Sequence, residues 1–348
     1  MLILGIESSC DETAAAIVED GNKVRSNVIA SQVKTHRSFG GVVPELASRE
    51  HLRNIGYVVR QAFTDAGKDY GDIDGIAVAQ GPGLIGSLLV GVSFAKAMAF
   101  SLKKPLIPVN HIEGHIYSAF IENPGIEYPF LALVVSGGHT SLVYSPEPGI
   151  YRSIGRTRDD AAGEALDKLS KFLGLGYPGG PVIDRLANKG DGRRFQFSIP
   201  KISDGRLDFS FSGFKTAALR IIHENGIKPR RSGGRISRII VDLVTSYQEA
   251  IINTLVSQTG KAESRLHPRS ILLVGGVACN SHLRKAFKYT FEEKRNTRTE
   301  ARPVTVYYPS PIFTTDNAAM IAAAGTSHFD KNVSMDPDLN AYASLPLC

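Results

Sequence analysis

The sequence predicts an α/β protein made of two duplicated halves. Three observations carry this: a β-meander that occurs twice, helical sequence after each copy, and glycine-rich strand-to-helix junctions. The first copy has an apolar strand at 2–6 and a polar tip, Ser8-Ser9-Cys10-Asp11-Glu12-Thr13. A second apolar run at 14–18, a turn at Asp20-Gly21 and a third run at 24–30 complete it. The second copy repeats the order with 130–135, the tip Ser136-Gly137-Gly138-His139-Thr140, 141–144, a turn near 146–149, and 151–155. Two such halves are expected to face one another across a central cleft where the tips meet.

Between the copies, a strand at 75–79 meets the turn Gln80-Gly81-Pro82-Gly83 and a small-residue helix over about 84–101, and a strand at 106–109 enters a helix carrying His111 and His115. After the second copy come a helix at 161–174, a Gly/Pro turn at 176–181, a loop-rich basic stretch at 189–238 and a helix at 239–257. A strand at 270–274, a helix at 280–291, a strand at 304–307 and a small-residue helix at about 317–325 follow, and the tail from 336 reads as a loosely packed return segment. The expected domains are 1–123 with the return segment 325–348, and 124–324 with the basic loop region 189–238.

A chain of 348 residues, 43% hydrophobic, buries a sizeable core. A net charge of +6 suits a polyanionic partner but also fits an enzyme that touches no nucleic acid. Cys10, Cys279 and Cys348 are scattered with no CxxC pair, which excludes a disulfide framework or thiolate metal site and fits a reducing compartment. The opening run has no basic leader, and no uncharged apolar stretch approaches the roughly 20 residues of a membrane span. A cytoplasmic protein without membrane contact is expected.

Both tips are phosphate-grip candidates, because a tight Ser- and Gly-rich turn presents several backbone N–H groups at close range. Asp11 and Glu12 cannot touch phosphate without an intervening cation, so Asp11 reads as a carboxylate behind a metal ligand or linked to magnesium, or else as a turn cap. A third nucleotide signal is Val274-Gly275-Gly276-Val277-Ala278-Cys279-Asn280-Ser281, a buried strand that breaks at two glycines and enters a helix. Asn280 is equally a helix cap. Asp167, Gly180 and Asp184 flank the same expected cleft, where a carboxylate could hold ribose hydroxyls.

The metal candidate is His111-Ile112-Glu113-Gly114-His115, two histidines on one helix face, with Asp316 as the third ligand from another strand-to-helix junction. The alternative is that Asp316 caps a helix and the histidines are core or exposed residues. A zinc peptidase needs a glutamate directly after the first histidine. Here that position is Ile112, and Glu113 points about 200° from His111. Two histidines and one carboxylate with open positions suit iron or zinc holding an oxygen-rich substrate.

The region containing Lys201, Arg206, Lys215, Arg220, Lys228, Arg230, Arg231, Arg235 and Arg238 suits contact with a phosphate backbone. A second cluster, Arg284, Lys285, Lys288, Lys294, Arg295 and Arg298, reads as a solvated face. Phe209-Ser210-Phe211-Ser212-Gly213-Phe214 reads as a core anchor rather than a stacking platform.

Taken together, these runs resemble the TsaD family of bacterial transfer-RNA threonylcarbamoyl transferases over nearly the whole chain. The resemblance rests on Gly5-Ile6-Glu7-Ser8-Ser9-Cys10-Asp11-Glu12-Thr13, Gly40-Gly41-Val42-Val43-Pro44-Glu45-Leu46-Ala47-Ser48-Arg49, Gln80-Gly81-Pro82-Gly83, the His111–His115 run, Val135-Ser136-Gly137-Gly138-His139-Thr140, Gly179-Gly180-Pro181, Asp208-Phe209-Ser210-Phe211-Ser212-Gly213 and Gly275-Gly276-Val277-Ala278-Cys279-Asn280. It implies two actin-like (ASKHA, ribonuclease H-like) domains. It also implies transfer of the threonylcarbamoyl group from threonylcarbamoyl-adenylate to N6 of adenosine 37, in tRNAs reading ANN codons, with release of AMP.

Carried over by position, His111, His115 and Asp316 would bind one divalent metal, iron(II) ahead of zinc. Val134, Val135, Ser136, Gly137, Gly138, Asp167, Gly180, Asp184 and Asn280 would bind the adenylate or an adenine nucleotide, with magnesium where a phosphate needs it. Asp11 is the candidate catalytic carboxylate. The implied partners are tRNA, a TsaB-like paralogue and a TsaE-like ATPase. The segments 227–238 and 292–302 are long and basic for the family. The competing expectations are a metal-dependent endopeptidase, an older label for the family, a non-catalytic nucleotide-binding scaffold, and a sugar kinase of the same superfamily.

Overall fold

The structure, a computed structural model, describes residues 1–199, 202, 204–230, 234–293, 304–330 and 336–348. The expectations for Lys201, Arg231, Lys294, Arg295, Arg298 and most of 292–302 lie outside the described residues. The chain divides into two compact units, Met1–Ile126 with Pro309–Cys348, and Glu127–Tyr308.

In the first unit, β1 (Leu2–Glu7), β2 (Glu12–Glu19) and β3 (Lys23–Ser31) form the antiparallel meander, and β4 (Gly75–Gly81) and β5 (Leu106–Asn110) add in parallel beyond β1. The strand order is β3-β2-β1-β4-β5. Every residue of β1 is buried, as an unbroken apolar run in the middle of a sheet covered on both faces should be. Helix α1 (Pro44–Ala66) starts on a proline at its first turn and stops where Gly67 adopts φ 60°. It buries Ala47, His51, Ile55, Val58, Val59, Ala62 and Phe63, a stripe at helical spacing. Helices α2 (Ile85–Leu102) and α3 (His111–Glu122) follow β4 and β5.

The second unit repeats this plan. Strands β6 (Phe130–Val135), β7 (Thr140–Ser145) and β8 (Arg152–Arg156) form the meander, and β9 (Ser270–Val274) and β10 (Thr305–Tyr307) run parallel to β6 in the order β10-β9-β6-β7-β8. Its helices are α4 (Ala162–Phe172), α5 (Gly179–Ala187), α6 (Ser212–Glu224), α7 (Arg238–Leu266) and α8 (Ser281–Phe287). The same strand order in both units is the expected duplication made visible.

Four expectations need correcting. The stretch 189–238 is not all loop: Phe209 bridges to Thr157 beside β8, Phe209, Phe211 and Phe214 are buried, and α6 follows. Asp159 sets its start by accepting from Phe211 N (2.7 Å), Ser212 N (3.2 Å) and both serine hydroxyls. The tail is also not loose, since Tyr342 N donates to Gln80 O (2.9 Å), Gly83 N to Ala343 O (3.2 Å) and Asn110 Nδ2 to Leu345 O (3.1 Å). The return to the first unit begins at Pro309 rather than 325, because helix α9 (Ala318–His328) packs on β1, β2 and α3. Finally, α2 and α7 are long and apolar enough to cross a membrane by length and composition alone. The window in α7 is largely buried in its own unit, and Lys96 of α2 donates to Pro337 O and Leu339 O.

The close approach of α9 to β1 needs Gly5. A Cβ there would sit 2.2 Å from Ala318 O and 2.8 Å from Ala322 N, both backbone atoms that cannot swing aside. Gly5→Ala is therefore expected to cost about 3 kcal/mol or more, above the usual overpacking penalty of roughly 1–3 kcal/mol. Gly137→Ala, where nothing lies within 4 Å of the added carbon, should be near neutral when both variants are compared with the parent by urea titration.

Candidate functional site

The residues expected to bind ligands divide between the units. In the first, α3 begins directly after β5, and Asn110 caps it by accepting from Ile112 N (2.9 Å) and Glu113 N (3.4 Å). Asn317 does the same for α9, accepting from Met320 N at 3.1 Å. The helix-capping alternative for Asp316 thus falls to its neighbour, and the Asp316 carboxylate is turned instead to the histidines. His115 Nε2 lies 3.2 Å and His111 Nε2 3.8 Å from Asp316 Oδ1. One donor atom from each of the three lies within 4.8 Å of the others.

The trio fits a metal ion. His115 is fully buried, and neither of its ring nitrogens has a hydrogen-bond partner. Such a loss is normally offset, and a cation is the partner that matches lone pairs from two imidazoles and a carboxylate. His111 Nδ1 donates to Glu7 Oε2 (2.9 Å) with Ser9 Oγ at 3.1 Å, and its Nε2 faces Asp316. Glu7 is fully buried and also accepts from Ser9 N. Burial alone pulls the His111 imidazole down, but Glu7 and Asp316 outweigh it and raise its pKa to about 9. The pocket calls for positive charge, which a proton or a metal ion can supply.

Glu113 does not join this group. It faces His328, with Nε2 2.9 Å from its Oε2, and the base that a zinc peptidase requires is missing from the cluster. At the tip between β1 and β2, burial and the charge of Asp316 raise the Asp11 carboxyl. The sequence singled out Asp11, yet Glu12 is the more perturbed: burial lifts it from 4.5 to about 8, and its Oε2 is buried without a partner. Glu7 and Glu12 were not separable from ordinary strand-end acids by sequence.

In the second unit, the tip Ser136–His139 follows β6 and closes through Ser136 N to His139 O at 2.8 Å. Val134 and Val135 are buried in β6, while Gly137 and Gly138 are exposed with open space around their α-carbons. Gly275 ends the neighbouring strand β9, and a Cβ there would press on Val135 O at 2.6 Å, so β6 and β9 end side by side. Gly163 N at the start of α4 donates to Ser136 O (3.3 Å), and Asp167 on α4 accepts from Gly179 N (2.6 Å), beside Gly180 on α5. Asp184 on α5 accepts from Ser281 N (3.0 Å) and pairs with His282 Nδ1 (2.9 Å), and these contacts hold its carboxyl below the usual range against the effect of burial. Asn280 caps α8 through Leu283 N (2.9 Å) and donates to Gln248 (2.7 Å). Its helix-cap alternative is therefore realised. A chain of hydrogen bonds thus joins the tip, α4, α5 and α8 within one unit.

The sequence model of the family described as tRNA N6-adenosine threonylcarbamoyltransferase matches residues 23–323. Relatives bearing that name include one from Anaeromyxobacter sp. (strain Fw109-5), 50% identical over 98% of both chains, and one from Koribacter versatilis (strain Ellin345), 47% identical over 99% of both. Among solved structures, T.kodakarensis HypF superposes with a TM-score of 0.58 at 14% identity, covering 94% of this chain and 47% of that one. Full-length HypF in a phosphate- and nucleotide-bound form gives 0.57 at 12% identity, covering 94% and 46%. At such identities the likeness shows the fold alone, which is actin-like.

Removing a metal ligand should remove metal binding: His115→Ala is expected to abolish stoichiometric uptake in a chelator-competition titration. Glu7→Gln, which keeps an acceptor but loses the charge behind His111, should weaken uptake by about 10- to 100-fold. Glu12 adds a pH dependence. Because its folded pKa of about 8 lies above the ordinary 4.5, the native state keeps a proton that the unfolded chain releases. Stability contributed by that proton is lost as pH rises through this window. The melting temperature of Glu12→Gln relative to the parent should rise progressively between those two pH values.

Proposed function

This chain belongs to the tRNA N6-adenosine threonylcarbamoyltransferase family and modifies tRNA, and we propose how its residues share that work. The donor in this proposal is threonylcarbamoyl-adenylate, and the acceptor is N6 of adenosine 37 in tRNAs reading ANN codons. The amine attacks the carbamoyl carbon, a C–N bond forms, the bond to the phosphate oxygen breaks, and AMP leaves as the amine gives up a proton. Because the leaving group is already good, the protein's main task is placement of two reactants.

His111, His115 and Asp316 would hold one divalent ion, iron(II) or zinc. When bound, it would supply positive charge for the oxygens of the threonylcarbamoyl end. Glu7 fixes the ring of His111. The tip at Val134 to Gly138 offers backbone N–H groups to the adenylate phosphate, and its two exposed glycines permit close approach. Asp167, Gly180, Asp184 and Asn280 organise the helices around it, with Asp184 the carboxylate placed for ribose hydroxyls. Asp11 is the acceptor for the proton from the amine, its carboxyl raised by burial and by the charge of Asp316.

The observation that carries this assignment is the buried trio with His115 unsatisfied. A scaffold paralogue has no use for that cost, and a peptidase would need the glutamate that faces His328. A TsaB-like paralogue has a fitting surface on the packed pair α1 and α2, where Leu52, Tyr57, Ile85, Leu89 and Phe100 are exposed. A TsaE-like ATPase is carried only by membership of the family. Three free cysteines agree with a reducing cytoplasm.

Incubation with tRNA, threonylcarbamoyl-adenylate and the partner proteins should yield threonylcarbamoyladenosine by nucleoside mass spectrometry. His111→Ala and Asp316→Ala should each lower the yield at least 100-fold. Full yield from either variant would remove the metal assignment, and no product from the parent chain would remove the donor.

A further inference from the structure

The segment between β3 and α1, residues 32–43, takes no part in the metal or nucleotide sites, although it holds the first four residues of the distinctive run Gly40 to Arg49. It is nevertheless fastened to the tip that carries Asp11. Gln32 N donates to Asp11 O (3.0 Å) and Ser31 Oγ to Glu12 Oε1 (2.8 Å). From α1, His51 Nε2 donates to Cys10 O (3.0 Å), while its Nδ1 meets Thr13 Oγ1 at 2.8 Å. His36 is fully buried inside the segment, with Nε2 on Gln32 Oε1 (3.1 Å) and Nδ1 accepting from Val43 N (3.3 Å). One tautomer satisfies both bonds, so the histidine closes the loop on itself.

What this fixed loop shows to solvent is Lys34, Arg37 and Phe39. Lys23, Arg25, Arg49 and Arg53 of the same unit are each paired with a carboxylate, whereas Lys34 and Arg37 have no such partner among the described residues. The other unpaired pair nearby, Arg60 and Lys68, lines a surface cleft at the far end of α1. Counted along α1 from His51, which touches the tip, Arg60 is about 14 Å away and the end of the helix before Lys68 about 23 Å, beyond the screening length of about 8 Å.

The tip, Ser8 to Thr13, carries two acidic side chains and no cation, so it gives an RNA phosphate nothing to pair with. An RNA strand reaching this site needs cations within about 8 Å, the range over which salt leaves charges visible. It also needs a surface for bases that are out of the helical stack, which proteins supply with aromatic rings. A short helical segment with two unpaired cations and an exposed ring, tied to the tip by hydrogen bonds, supplies both kinds of group.

We propose that residues 33–39 form the docking surface for the single-stranded RNA around the acceptor adenosine, with Lys34 and Arg37 on phosphates and Phe39 against a neighbouring base. This rests on the tRNA-modifying activity but not on the donor or the metal.

The test is tRNA binding and transfer kinetics of the full chain with its partner proteins across a salt series. Lys34→Ala/Arg37→Ala should raise the Kd and KM for tRNA about tenfold and reduce the slope of log affinity against log salt by about 1.4, at roughly 0.7 per lost phosphate contact. Phe39→Ala should raise KM by about fivefold or more with the salt slope unchanged. Arg60→Ala/Lys68→Ala, the same charge change at the other end of α1, should stay within twofold of the parent. Parental Kd and slope in the loop variants, or an equal loss in the far pair, would overturn the docking surface. Metal content is measured on each variant, and a loss of tRNA affinity that tracks lost metal would overturn it as well. Absence of product from the parent chain would count against the donor instead, since the binding comparison stands without turnover.

Discussion

Everything at the metal candidate depends on one packing constraint, the seating of a C-terminal helix against the first strand. Gly5 on β1 lets α9 approach to where a Cβ would sit 2.2 Å from Ala318 O, and Gly325 on α9 does the same against Ala77 of the neighbouring β4, where a Cβ would sit 2.4 Å away. With the helix that close, Asp316 arrives beside two histidines about 200 residues earlier in the chain. The apolar residues of α9 are buried from Ala318 to Gly325, so the seat is held by the same hydrophobic burial that stabilises the unit. The ligand geometry is thus a by-product of core packing, and rigid for that reason.

The two capping asparagines complete the arrangement. A helix start leaves backbone N–H groups that demand an acceptor, and Asp316 or a side chain near His111 would otherwise be drawn to them. Asn110 and Asn317 take that duty at their own helices. The freed groups then converge with Glu7 in a region where water is scarce. Burial there raises Glu12 to about 8, and the carboxylates of Glu7 and Asp316 raise the imidazole of His111 to about 9 against the opposing effect of burial. A site with this balance is under-charged until a cation enters, which makes metal affinity and local stability two faces of one electrostatic fact.

The duplication was legible because strands with a buried face write their period and their turns plainly, and both meanders do so. The histidine pair was legible from its spacing. Asp316 was harder, since Asp and Asn are equally good caps and only the folded chain shows that Asn317 takes the role. Helix α6 was hidden because Ser210 and Ser212 and the charges around them read as loop, while its start is set by Asp159, some 50 residues away. Glu7 was invisible for the opposite reason: an acid at the end of an apolar strand looks like the strand's polar boundary, and its burial is a tertiary effect. Local pattern finds elements and tips, and long-range contacts decide which polar groups are left over.

The two units share a strand order but have diverged at the same point, the turn after the first strand. In the second unit the turn is Gly137-Gly138, with no charge and open space, so backbone N–H groups can approach an anion directly. In the first it is Asp11-Glu12, acidic side chains whose carboxyls burial raises, with Glu7 and the histidine helix behind it. One backbone plan therefore supplies a turn of open backbone N–H groups and a turn of acidic side chains. Changing the few residues of a duplicated hairpin tip is enough to give the two units different chemistry.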